Sequence, residues 1–183
     1  CPDAYIYLSE AYTKGWGVRR NPKKALELMK KGAELGSPKA LEFYGTMLIA
    51  DPRAPGYVIT RDQKMIAEGR KYLHRSLELG NGDAGVILSL IYQQVEHDSE
   101  GMIKSLRSGA KLGSKACLSE LAMTYNYGDY GQPHDKAYGY CFRNLEDKIS
   151  DFEAPKPIPN FDRLCPLKAI RPYKDGLGIG KNK

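Results

Sequence analysis

Apolar residues recur along this chain at steps of three and four, the spacing that gathers them on one face of a helix. The pattern is clearest before three Leu-Gly pairs, Leu35-Gly36, Leu79-Gly80 and Leu112-Gly113. Eleven residues before each glycine stand Ala25, Gly69 and Met102; seven before, Met29, Leu73 and Leu106; three before, Ala33, Leu77 and Ala110. Four before come the small residues Gly32, Ser76 and Gly109. These offsets predict a first helix in each unit, over residues 23–35, 68–79 and 101–112. Glycine then supplies the left-handed conformation that closes a helix.

A second helix follows each glycine. Its fourth position is Ala40, Ala84 or Cys117, its eighth Tyr44, Leu88 or Leu121, and its twelfth Leu48, Tyr92 or Tyr125. The ninth is small (Gly45, Ser89 or Ala122), which predicts a close approach to a neighbouring helix. Ala4, Leu8, Ser9 and Tyr12 fit the same template, so the chain is expected to begin halfway through a unit, as part of a larger binder. The glycines lie 44 and 33 residues apart, a period that signals stacked helix-turn-helix units. An insertion between Ala50 and Gln63 carries Pro52, Pro55 and Gly56 and accounts for the longer spacing. Asn21 and Asp135 are suited to cap helices, and Pro22 to the first helical turn.

The pattern A-x-x-x-L-(G/S/A)-x-x-Y, G-x-G-V, N-P-x-K-A and A-x-x-G resembles the Sel-1-like repeat, a relative of the tetratricopeptide repeat. It extends from Ala4 to about Tyr140, and the best copy, residues 4–36, matches at Gly15, Gly17, Val18, Lys24, Ala25, Ala33 and Gly36. The middle copy departs at residues 92–96, which hold no G-x-G-V loop. The resemblance implies an all-α fold: a right-handed α-solenoid of about three and a half helix-turn-helix repeats over residues 1–149. An extended Pro-rich C-terminal tail over residues 150–183 then packs on the solenoid or extends from it.

Composition narrows the chemistry. A net charge of +6 favours acidic partners, but the basic residues are interspersed with acidic ones, so nucleic acid is not the expected partner. The longest largely apolar stretch, residues 86–92 with Ser89 within it, is too short to span a bilayer. Cys1, Cys117, Cys141 and Cys165 form no CxxC pair, and no metal or cofactor is expected. Cys117 fills a small-residue position of the repeat, which points to core packing. A disulfide among the others requires an oxidising compartment. His74, His97 and His134 lie in different units, and P-loop, GxSxG and HExxH motifs are missing, so the chain does not read as an enzyme. Gly176, Gly178 and Gly180 alternate without the strand and helix that a phosphate cradle needs.

A partner-binding surface is the remaining candidate. Six residues before the shared glycines stand Lys30, His74 and Arg107, and five before stand Lys31, Arg75 and Ser108. Equivalent positions of stacked repeats align in rows, so the basic residues are candidates for an acidic partner; they equally suit a solvated face. Trp16, Tyr57, Tyr127 and Tyr130 lie in predicted loops and are candidate aromatic anchors, although they also suit packing between repeats.

The tail sharpens this. Residues 158–167 are similar to a P-D-L-D-x-I-V-P-L-P-P segment that closes a bacterial domain found after Sel-1-like repeats, matching at Pro159, Phe161, Asp162, Leu164, Pro166 and Leu167. That resemblance implies an immunity protein that binds a cognate toxin, a type VI secretion effector, and neutralises it without catalysis. It favours the periplasm over the cytoplasm by a small margin, although Cys1, directly ahead of a repeat helix, does not suit a lipid anchor. The alternatives are a scaffold or adaptor in a signalling or quality-control complex and, more remotely, a lactam hydrolase, whose relatives carry a cysteine pair in every repeat.

Overall fold

The computed structural model describes residues 1–51, 54 and 58–172. They are predominantly helical, with an isolated antiparallel bridge between Ala50 and Ile59. The chain divides into two compact units, Cys1–Ala84 and Gly85–Lys183.

The first unit holds α1 (Ala4–Lys14), α2 (Pro22–Glu34), α3 (Pro38–Ile49) and α4 (Gln63–Glu78). The helix starts follow from short polar side chains that accept otherwise unpaired N–H groups. The Asn21 side chain accepts from the Lys24 N–H, and the Ser37 hydroxyl from that of Ala40. Asp62 accepts from both Lys64 and Met65, which lets α4 begin at Gln63 rather than at residue 68.

The helix ends follow from the Leu-Gly pairs. Gly36, Gly80 and Gly113 have φ of +81°, +93° and +86°, a region that costs other L-residues roughly 1–2 kcal/mol. The turn they make closes two bonds at once. The Gly36 N–H donates to the Ala33 carbonyl at 2.9 Å and the Ser37 N–H to that of Gly32 at 3.1 Å. Gly80 with Asn81, and Gly113 with Ser114, repeat the same pair of bonds.

Small residues set the helix spacing. A Cβ on Gly45 of α3 would stand 2.9 Å from the Gly69 carbonyl oxygen of α4, and one on Gly69 would stand 2.8 Å from that of Gly45. Beside this contact Tyr44 and Tyr72 meet edge to face at 4.8 Å. Ile6, Met29, Ala33, Ala40, Leu41 and Tyr44 form a buried cluster in the unit.

The second unit contains α5 (Ala84–Ile91), which crosses the division between the units, then α6 (Ser99–Lys111), α7 (Lys115–Tyr127), α8 (Lys136–Glu146) and the single turn α9 (Phe161–Leu164). Gly15 and Gly128 end α1 and α7 in the left-handed region at +81° and +72°. The middle copy has no such glycine. Its helix widens into a π turn over Tyr92–Glu96 and stops at His97, which takes φ +51° itself. Leu118, Leu121, Tyr125 and Phe142 are fully buried at the centre, and Tyr125 and Tyr138 meet at 4.6 Å. Cys117 lies in this core as a free thiol.

The contact between Gly45 and Gly69 has a testable sign. Glycine to alanine in an unobstructed helix stabilises by about 1 kcal/mol. Gly45→Ala is expected instead to lower unfolding free energy by about 1–3 kcal/mol, because the added methyl meets backbone. Denaturant titration measures it, and a gain in stability would contradict the close approach.

Candidate functional site

Lys30, Lys31 and Arg75 are exposed, as a surface row requires. They are not isolated charges: Lys30 pairs with Glu34 at 3.9 Å, Arg75 pairs with Glu78 at 3.2 Å, and the Lys31 ammonium lies 5.4 Å from the Tyr5 ring centroid. His74 is exposed, yet desolvation and the charge of Arg70 lower its pKa below the usual histidine value. It therefore adds little positive charge at neutral pH.

Arg107 leaves the row altogether. Its side chain is buried, and its donors are used inside the chain: Nη1 donates to the Tyr138 hydroxyl at 3.0 Å, and Nη2 to Asp162 Oδ1 at 2.7 Å and to the Cys165 carbonyl at 2.8 Å. The guanidinium also lies over the Phe161 ring, 4.9 Å from its centroid. A buried cation has to be paired and hydrogen-bonded to be tolerated, and these partners meet that need. The expectation that Arg107 faces an external acidic partner is thus corrected: the acid it faces is Asp162 of its own chain.

Among the aromatic candidates, Trp16 is exposed and the Lys14 ammonium sits 4.2 Å from its ring centroid. Tyr127 is the last residue of α7 rather than a loop residue, and it is strongly exposed. Tyr130 is half-buried against the core of the second unit, at φ +54°. Tyr57 and the glycines at 176, 178 and 180 lie outside the described residues.

Sequence reasoning missed the most elaborate set of contacts, which the tail makes on α6, α8 and the loop before α8. The Ile158 N–H donates to the Lys111 carbonyl at 2.8 Å, satisfying an acceptor at the end of α6. Lys156 passes directly over Gly113, where a side chain would collide with its backbone. Phe161 is buried beside Phe142 at 6.2 Å, and Asp162 bridges Arg107 and Lys111, the latter at 2.6 Å. Cys165 forms a disulfide with Cys141 of α8. Tyr138 donates onward to the Pro166 carbonyl at 2.6 Å, Lys168 pairs with Asp135, and buried Gln132 exchanges hydrogen bonds with the Arg171 backbone at 3.0 and 3.3 Å. The tail therefore runs from the C-terminal end of α6 towards the N-terminal end of α8, with Phe161 and Cys165 buried in the core.

Its signal in the sequence was partial. Pro159, Phe161 and Asp162 stood out as a motif, but the spacing of α6 did not assign Arg107 to them. Among the described residues no group of three histidines, cysteines or carboxylates is placed to hold a metal ion, and no helix is long and apolar enough to cross a membrane.

Comparison with known proteins agrees with this architecture. A family model for the Sel1 repeat matches residues 2–37 and 115–143. This chain carries Sel1 repeats. A Sel1 repeat protein from Oxalobacter formigenes, solved by crystallography, is 21% identical with a TM-score of 0.63, over 82% of this chain and 59% of that one. The crystal structure of c5321, a protective antigen of uropathogenic Escherichia coli displaying an SLR fold, is 22% identical with a TM-score of 0.59, over 80% of this chain and 30% of that one. At these identities the likeness is one of fold, and the chain spans only part of the length of either protein. The immunity protein Pa5087 from Pseudomonas aeruginosa is 18% identical over 92% of this chain and 76% of its own, with a TM-score of 0.49. Between the two Sel1 matches lie the repeats with the expanded connection and the π turn.

Two predictions follow from the docked tail. Gly36 and Gly113 share the left-handed turn, but a Cβ on Gly36 meets nothing within 4 Å whereas one on Gly113 meets Lys156. Gly113→Ala should therefore cost more in denaturant titration than the roughly 1–2 kcal/mol expected of Gly36→Ala; equal costs would argue against the docked tail. Hydrogen bonds from Lys111 and Arg107 hold the Asp162 carboxyl below its usual pKa, and those from Lys168 and Tyr138 do the same for Asp135. A lowered carboxylate pKa gives stability that is present above the unfolded value and is lost as pH falls through the folded one. Acid should loosen the tail, and Asp162→Asn should flatten that dependence in pH-resolved melting curves.

Proposed function

We propose that this chain is a bacterial immunity protein that binds a cognate secreted toxin, a type VI secretion effector, and neutralises it without catalysis. The observation that carries the reading is the motif at residues 158–167, set directly after Sel1 repeats. Repeats of this kind create extended surfaces suited to other macromolecules. Inhibition then comes from covering the toxin's active site or from blocking a movement it needs. Such inhibition demands tight binding through a large interface with aromatic or arginine anchors. Trp16 and Tyr127, both strongly exposed, suit that role, with Lys30, Lys31 and Arg75 giving attraction for an acidic surface.

The compartment in this proposal is the periplasm, where a lipid- or wall-degrading toxin acts. The Cys141–Cys165 disulfide supports that placement, since such bonds persist in oxidising compartments and are rare in the cytosol.

Co-expression with toxins encoded beside its gene tests the function. Protection and a stable complex with one of them are expected; no protection and no complex with any would sink the proposal. Alkylation of the denatured, unreduced protein taken from its native source tests the compartment. Cys141 and Cys165 are expected to stay unmodified while Cys117 reacts, and modification of both Cys141 and Cys165 would place the chain in a reducing environment.

A further inference from the structure

The tail shows what kind of segment the first-helix face of a repeat accepts. Asn21, Asp98 and Asp135 cap α2, α6 and α8, and the first two lie fifteen residues before Gly36 and Gly113. By that register Ile149-Ser150 stands where the other copies carry Leu-Gly. Twelve, nine, eight and five residues before Ser150 stand Tyr138, Cys141, Phe142 and Leu145. These are the α8 side chains on which the tail rests: Tyr138 bonds Pro166, Cys141 bonds Cys165, Phe142 faces Phe161, and Leu145 joins the same cluster.

The same four positions before Gly80 are Glu68, Lys71, Tyr72 and Arg75 of α4. In the first unit they line an open groove of about 580 Å³, together with Leu41 and Lys64. An aromatic is kept at the position that meets Phe161, as Tyr72 in place of Phe142. Around it the chemistry changes: Cys141 and Leu145 become Lys71 and Arg75. With Lys64 the groove lining holds three cations and the carboxylate of Glu68, and Arg75 is also paired with Glu78 at 3.2 Å.

We infer that this groove is a docking site for a partner-protein segment that places one aromatic residue on Tyr72 and acidic residues beside Lys64, Lys71 and Arg75. The tail is the precedent within the chain: it sets Phe161 on an aromatic of α8 and the adjacent Asp162 between an arginine and a lysine of α6. Its own sequence does not suit the groove in the first unit, because Lys156, Arg163 and Lys168 would meet like charge. Electrostatic complementarity thus selects an acidic relative of the tail. The inference rests on the reading of this chain as a protein-binding module, and not on the identity of a toxin.

The test uses the full chain and two fluorescently labelled synthetic peptides covering residues 156–168. Both carry Cys165→Ser, and one also carries Lys156→Glu, Arg163→Glu and Lys168→Glu. In anisotropy titrations the acidic peptide should bind at least about ten-fold more tightly than the other, a difference of about 1.4 kcal/mol. The double variant Lys71→Glu/Arg75→Glu should weaken it at least about ten-fold, whereas Lys136→Glu/Lys148→Glu, with the same change in net charge, should not. No binding of the acidic peptide would overturn the inference, and so would equal losses from the two double variants. Equal binding of the native-sequence peptide would also overturn it, and would point to the tail of a second copy as occupant. No toxin enters these titrations, so their failure leaves the co-expression result standing, and the reverse holds as well.

Discussion

The left-handed glycine that ends α2, α4 and α6 is the constraint on which the rest of this protein depends. It reverses the chain within two residues while returning two N–H groups to the helix it has just closed. Because the next residue then caps the following helix, through Ser37 and Ser114, the turn fixes both the end of one helix and the start of another. Helix register is thereby locked to the glycine. Which residue meets which neighbour is counted from that point, down to the contact between Gly45 and Gly69 and the side of α6 that carries Arg107 and Lys111.

Local rules made much of the fold readable in advance. Ser, Asn and Asp at helix starts, proline in the first turn and glycine at the ends act within a few residues, so the sequence displays them directly. The π turn at Tyr92–Glu96 is the exception, because what replaces a missing glycine depends on whether a side chain tolerates φ +51°, as His97 does. The candidate site was less readable. Arg107 lies off the apolar stripe of α6 and looks like a surface cation by spacing alone. Its burial is decided by Asp162, fifty-five residues later, and by Cys165, fifty-eight residues later, and helical periodicity holds no information at that distance. The pairing of Cys141 with Cys165 is hidden for the same reason: it follows from the path of the tail, and the path is set by contacts scattered over α6, α8 and the loop at Gln132.

Arg107 also explains how an irregular, proline-containing segment belongs to a helical core. A guanidinium without partners in that position would be too costly to bury, while the tail alone has too few backbone hydrogen bonds to order itself. Each supplies what the other lacks. Asp162 and the Cys165 carbonyl satisfy Arg107, and Phe161 covers the apolar surface that α8 would otherwise expose to water. One consequence is a division of labour between equivalent positions. In the second unit they serve stability by holding the tail; in the first, lysine and arginine replace cysteine and leucine beside an open groove, the site proposed for a partner segment.

Hydrogen–deuterium exchange of the full chain is the most direct measure of whether the tail is a structural part of the repeat array. The Ile158 and Cys165 amides donate to Lys111 and Phe161 and lie against a buried core. Peptides spanning residues 157–165 should therefore exchange as slowly as those from α8, and Arg107→Met should release that protection while leaving α2 to α4 unchanged. Rapid exchange of the tail in the unaltered protein, beside protected helices, would contradict the account.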